Sequence, residues 1–434
     1  MARRAIAYDI NRLITRVFNR TPNGIDRVDF AFADYFLDPE RRERSGVMMT
    51  ALGPRVLSPK AARRAIDIVR KHWGEDETPA EDSVFQALLA AICDRPAPME
   101  RISRPRRGQT GDILRWLRAY GGSVGDRATD FLPSDGLYVN CSQFPLDVDR
   151  YFRWMDPRSE LDCVFFIHDL LPLETPEYFP PSERPRHARK MATLARRGSA
   201  AIVSSHVVKQ SLIRQIATLG RTNLPILVAP LPVDPAFSTG QAEPVAIEGH
   251  PYFVMCGTIE PRKNHLLILH VWRDLVASLG QAAPKLVLIG RRGWENEHII
   301  DLLERCPGLR HHVLEVAGLP TPSVKQLLMG ARALLMPSFA EGYGLPVVEA
   351  LSSGVPVIAS SIPVFEEIGG DRLLRLDPTD GPGWRAAIMG FAADDSTQRI
   401  RALRDLTDYR APDWPSFFAS IEEFLGELPA RNHL

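Results

Sequence analysis

Cysteine is scarce in this sequence: five in 434 residues, Cys93, Cys141, Cys163, Cys256 and Cys306, with no pair in C-x-x-C spacing. An odd, scattered set builds neither a disulfide framework nor a zinc site, so reduced, buried thiols are expected. Long apolar runs are missing too. None approaches the ~20 uninterrupted apolar residues that cross a bilayer. The opening MARRAIAYDINRLITRVFNR has its apolar stretch broken by Asp9 and Arg12. That makes a poor secretory signal, and a cytoplasmic protein is expected. No G-x-G-x-x-G follows the first apolar run, which argues against a dehydrogenase. Internal repeats and low-complexity tracts are absent as well.

Net charge is also absent, with 53 basic and 53 acidic residues, but the balance is uneven along the chain. Residues 1–240 hold 35 Lys and Arg against 29 Asp and Glu, and the remainder 18 against 24. The basic half includes MERISRPRRGQTGDILRWLRAY, with Arg101, Arg104, Arg106, Arg107, Arg115 and Arg118. Such a cluster suits an anionic membrane surface or phosphates, and it equally suits a solvated face. No nucleic-acid motif accompanies it, so no nucleic-acid partner is expected.

What is present is an alternation. Short apolar runs (RAIAYDI, GVMMTAL, GLYVNCS, DCVFFIHD and AAIVSS, then PYFVMCGT, PKLVLIG, HHVLEVAG, ARALLMPS and VPVIAS) are mostly separated by helical patterns such as NHLLILHVWRDLVASLG. Near-continuous apolar strands between helices mean parallel sheets covered on both faces. The fold class is therefore α/β, with two doubly wound, Rossmann-like domains facing a cleft. The aperiodic stretch LVAPLPVDPAFSTGQAEPVAIEGHP separates them, giving domains over residues 1–235 and 245–410. Residues 73–110, polar and proline-containing, are expected as a mobile insertion in the first domain. The amphipathic tail, residues 411–434, is expected to pack back on the first domain.

Ligands bind where parallel strands end, and the conspicuous motifs fall there. In MCGTIEPRKNHLL, Gly257 and Thr258 turn the chain, Arg262 and Lys263 follow, and Asn264 is placed to cap the next helix. Two cations beside orphan helix-end N–H groups suit a diphosphate, and two surface charges on a turn fit as well. In SFAEGYGLPVVEALSSGVPVIAS, Pro346 fits the start of a helix and Gly354 its stop. This places Glu349 in the first helical turn and Glu341 in the loop before it. The backbone of Gly342, Tyr343, Gly344 and Leu345 can come close to phosphate oxygens. Glu349 alone is explained by the helix dipole, worth ~0.3–1 kcal/mol, but that leaves Glu341 and both glycines without a role. Carboxylates accept from hydroxyl pairs and repel phosphate. Acids on sugar hydroxyls, with amides and cations on a diphosphate, describe a nucleotide-sugar site.

The E-x7-E pair in EGYGLPVVEALSSGVPVIAS, preceded by GTIEPRKN, resembles family 4 of the retaining glycosyltransferases, with the GT-B fold, over residues 250–380. The resemblance implies that Glu349 binds the donor ribose, that Glu341 sits beside the transferred sugar, and that Lys263 with Arg262 holds the diphosphate. Many members carry Arg directly after the first-loop glycine, where this chain has Thr258; Arg262 is the residue placed to compensate. TPNGIDRVDFAFADYF resembles the family's glycine loop at Gly24, which an ordinary strand–helix turn explains as well. FFIHDLLPLETPEYF matches the H-D-x-x-P-x-x-x-P-E pattern, implying that His168 reaches the reacting sugar while Asp169 fixes its loop. VSSHVVKQSL resembles the family's serine-capped helix start, through Ser204 or Ser205.

By the same resemblance no metal or other cofactor is expected, and Asp147-Val148-Asp149, although of D-x-D form, is read as coincidence. The implied activity is hexosyl transfer from a nucleotide sugar, GDP-mannose before UDP-glucose on the GTIEPRKN variant. The acceptor would be a glycan or polyprenyl-linked glycan in bacterial surface polysaccharide assembly, reached from the cytoplasmic face of the membrane. A nucleotide-sugar epimerase of the same fold and a non-catalytic sugar-nucleotide-binding assembly subunit are the competing readings.

Overall fold

A computed structural model describes residues 4–428 apart from 17–21, 42, 51–52, 74–77, 94–100, 104–127, 129–131, 134, 159, 239–246, 248 and 394. Its strands in chain order are β1 (Ile6–Asp9), β2 (Arg44–Thr50), β3 (Gly53–Leu57), β4 (Ile102–Ser103), β5 (Leu137–Asn140), β6 (Asp162–Ile167), β7 (Ala200–Val203) and β8 (Ile226–Val228). They continue as β9 (Tyr252–Cys256), β10 (Lys285–Ile289), β11 (Val313–Ala317), β12 (Leu334–Met336), β13 (Val357–Ser360) and β14 (Leu373–Leu376). Two seven-stranded sheets result, ordered β3-β2-β1-β5-β6-β7-β8 and β14-β13-β12-β9-β10-β11-β4. Strands pair in parallel except in the β2–β3 hairpin, where Thr50 stands opposite Gly53.

All ten apolar runs are strands. Central ones such as β6 are buried at every residue because helices cover both faces. The stretch 73–110 departs from expectation. Helix Ser83–Cys93 buries Val84, Phe85, Leu88 and Ile92, one apolar face at helical spacing. β4 pairs with β11, Ile102 opposite Val316, and Ser323 Oγ donates to Asp82 at 2.8 Å. Of this segment, helix Ser83–Cys93 and β4 therefore lie with the second sheet instead of projecting from the first. Arg101 lies 3.1 Å from Glu315, whereas Arg104, Arg106, Arg107, Arg115 and Arg118 lie outside the described residues.

Helix Trp414–Glu427 returns to the first sheet's side. Phe418 stacks on Tyr35 with ring centroids 3.8 Å apart and meets Phe32 edge-on. Arg44 pairs with Glu422. None of the five thiols is in a disulfide, but Cys93 is exposed at the end of its helix, not buried as expected; Cys141 and Cys163 are buried.

Candidate functional site

The loops that follow β6 and β12 touch across the junction between the sheets. A Cβ on Gly342, in the loop after β12, would lie 2.7 Å from the His168 carbonyl oxygen and 2.8 Å from Asp169 Cβ, in the loop after β6. Only a glycine permits this approach. Gly344 has φ +104°, a backbone conformation other residues rarely adopt, and it delivers the chain into helix Leu345–Ser352. From the first half, Gly24 opens helix Gly24–Phe36 and packs on Leu345, whose Cδ1 would lie 3.3 Å from an added Cβ. Further contacts span the halves. Trp294 Nε1 donates to Tyr178 O at 3.0 Å, Tyr178 stacks on Phe339, and Glu367 accepts from His206 N and Val207 N.

Glu341 is the hub of the second half's loops. Lys263 Nζ lies 2.6 Å from Oε1, which Ser338 Oγ also reaches at 2.7 Å, and Arg262 Nη1 lies 2.7 Å from Oε2. Burial alone would raise this carboxyl's pKa. Arg262, Lys263 and the hydrogen bonds from Lys263 and Ser338 outweigh it and bring the pKa down to about 2. Arg262 is committed to the protein: Nη1 also donates to Ala340 O, and Nη2 to buried Glu260. An ammonium has three donors, and Lys263 uses one on Glu341. Gly257, with φ +144°, lies against the Lys263 side chain, and Thr258 Cγ2 faces Gly293.

Two local expectations are corrected. Glu349 is the fifth residue of helix Leu345–Ser352, beyond its first turn, because the helix begins only after Gly344. Its partner is the Arg27 guanidinium, Nη1 to Oε1 at 2.7 Å, and not the helix end. Asn264 occupies the cap position but with φ +57° and no capping bond. Its Nδ2 instead donates to Pro337 O and Pro378 O, tying the β9 loop to the loops after β12 and β14.

His168 is buried, with Nε2 donating to Cys141 O at 2.8 Å. Burial lowers its pKa to about 4, so the ring is neutral near pH 7. A carbonyl only accepts, so Nε2 carries the proton and Nδ1 is left as an acceptor. Asp169 Oδ1 accepts from Leu171 N, holding the loop. Tyr343 is buried and donates its hydroxyl to Leu231 O. Ser205 caps helix His206–Ala217. Asp147 and Asp149 pair with Arg186 and Arg197.

Sequence reasoning missed Arg27, Ser338 and Glu260. A cation in a helix's first turn opposes the macrodipole, which was the one local signal for Arg27.

The glycosyl transferases group 1 family model matches residues 239–379. The chain is 31% identical over 261 residues to O-antigen chain mannosyltransferase B of Escherichia coli, covering 58% of this chain and 67% of that protein. It is 30% identical over 235 residues to the serotype-specific mannosyltransferase WbdA of Escherichia coli, but spans only 28% of WbdA's length. Among solved structures, Anabaena Alr3699/HepE in complex with UDP and glucose superposes with a TM-score of 0.61 at 16% identity, covering 98% of this chain and all of that one. That likeness is one of fold, the GT-B arrangement of two facing halves.

Proposed function

This chain belongs to the group 1 glycosyltransferases, and from that premise we propose a retaining, metal-independent hexosyltransferase of bacterial surface polysaccharide assembly. The donor is a nucleotide sugar, GDP-mannose before UDP-glucose, and the acceptor a glycan or polyprenyl-linked glycan. The observation that carries this reading is the convergence of Lys263 and Arg262 on Glu341, directly beside the contact between Gly342 and the His168 loop. Curated relatives that are O-antigen mannosyltransferases favour mannose and the polysaccharide setting.

In the proposed reaction the bond from the sugar's anomeric carbon to the diphosphate breaks, and a bond to the acceptor oxygen forms on the same face. The acceptor's proton passes to the departing phosphate oxygen, so no separate base is needed. Lys263 supplies charge-assisted hydrogen bonds to the leaving diphosphate, each worth ~1.5–3 kcal/mol. Arg262 holds Glu341 and the loop in place. Glu341 and Glu349 accept from sugar and ribose hydroxyls, and Nδ1 of neutral His168 accepts from the transferred sugar. The ion pairs of Asp147 and Asp149 support transfer without a D-x-D metal site. No helix among the described residues is long and apolar enough to cross a membrane. We place the reaction at the cytoplasmic face of the membrane, the setting that assembly on a polyprenyl-linked glycan implies.

The test is calorimetric titration of a sugar-nucleotide panel in the presence of EDTA. Selective binding of one donor, lost in Glu349→Ala, is the expected result. Donor conversion without any acceptor would mean an epimerase. Absence of binding across the panel would overturn the nucleotide-sugar reading and leave only an assembly subunit that binds no donor.

A further inference from the structure

Arg27 is the fourth residue of helix Gly24–Phe36, on the first sheet's side, yet its guanidinium crosses to Glu349 of the second half. Local energetics do not place it there. A cation in a first helical turn opposes the helix dipole, and ordering an arginine costs rotamer entropy. The opposing charge holds it. Both side chains are largely buried, 23% and 7% exposed. Burial, with Asp234 adding to it, raises the Glu349 pKa, and Arg27 works against that rise. A carboxyl that takes a proton loses acceptor capacity, so a carboxylate that reads hydroxyls from inside a protein needs a counter-charge.

We propose that Arg27 is a positioning residue of the donor site: it takes Oε1 of Glu349, supplies the counter-charge, and leaves Oε2 to accept from the ribose hydroxyls of the nucleotide. The inference rests on reading Glu349 as the ribose carboxylate. It adds that ribose recognition is completed from the opposite half of the molecule. With Gly24 against Leu345 and Arg27 on Glu349, the helix that bears Arg27 is docked on the one that bears Glu349. Nucleotide affinity and closure of the cleft therefore draw on the same contact.

The experiment titrates GDP, UDP and their 2′,3′-dideoxy counterparts into wild type, Arg27→Met and Arg27→Lys. Wild type should prefer the ribonucleotide by ~100-fold or more, as sites built to bond a hydroxyl do. Arg27→Met keeps the aliphatic stem and should weaken ribonucleotide binding by ~tenfold or more while barely changing dideoxynucleotide binding, so that the preference collapses. Arg27→Lys should restore part of it. Equal losses for both nucleotide types, or no loss, would overturn the proposal by making Arg27 a structural contact only. Should Arg27→Met not fold, Arg27→Gln, which keeps an N–H donor without the charge, must show the same collapse. No binding of either nucleotide by wild type would remove the donor-site reading itself, and this inference with it.

Discussion

Lys263 Nζ sits 2.6 Å from Glu341 Oε1, while Arg262 takes the other oxygen at 2.7 Å. One buried carboxylate thus spans two cations with different commitments. Among the described residues Lys263 has this single ion pair, whereas Arg262 also holds Glu260 and Ala340 O. Lys263→Met should therefore lower kcat/KM by ~100-fold or more, as loss of a leaving-group donor does, with a smaller loss of stability than Arg262→Met, because Arg262 and Ser338 stay on Glu341. Arg262→Met should instead destabilise by ~3–5 kcal/mol, because buried Glu260 loses the cation paired with it and Glu341 loses one of its two. Kinetics and urea unfolding on both variants decide the matter. The reverse pattern would refute the division of roles.

His168 gives a second prediction. Its ring is neutral above about pH 4, so in the proposed reaction it serves as an acceptor and not as a titrating base. His168→Ala should cut kcat by ~100-fold yet leave nucleotide affinity nearly unchanged. The wild-type pH–rate profile should carry no inflection from His168 between pH 6 and 8. Equal losses in turnover and nucleotide binding would contradict its place beside the sugar.

Gly342→Ala tests whether the two halves must touch. The added methyl meets a carbonyl oxygen at 2.7 Å and a Cβ at 2.8 Å, neither at the end of a flexible side chain. The loops must separate, and a displacement of about 1 Å at a reacting centre costs ~100-fold. We expect kcat/KM to fall by that order with secondary structure intact by circular dichroism. Wild-type kinetics in this variant would show that the contact is incidental.

The reach of the sequence has a physical pattern. The strands legible in it are the central ones, where cover on both faces demands continuous apolar runs. The four that escaped notice, β3, β4, β8 and β14, are the outermost strands of the two sheets. An edge strand is less enclosed, so Arg55 in GPRVL and Arg375 in LLRL are tolerated and the signal is lost. The loop motifs marked Glu341, Lys263 and Gly342 because their chemistry is local. Arg27 was invisible because its partner is 322 residues away. Asn264 was misread because a helix-cap residue type can serve elsewhere once its backbone adopts a positive φ.

Asp29 supplies a prediction of opposite pH sign to an ordinary surface acid. It is fully buried on helix Gly24–Phe36 and accepts from the Tyr8 hydroxyl. Burial raises its pKa to about 7, against the relief given by Tyr8 and Arg12. An unfolded carboxyl titrates near ~3.9. Between these values the folded chain holds a proton that the unfolded chain has lost. Folding is therefore favoured at the acid end of this window, and stability is lost as pH rises toward and through 7. Asp29→Asn keeps an oxygen for the Tyr8 hydroxyl and has no proton to lose. Relative to wild type it should gain about 2 kcal/mol between pH 5 and pH 8, read from urea unfolding at the two pH values. His168, His187 and His265 also titrate below neutrality, but they are common to both proteins and cancel in the difference. A difference that is the same at pH 5 and pH 8 would mean that Asp29 stays ionised in the folded chain, with Arg12 outweighing its burial.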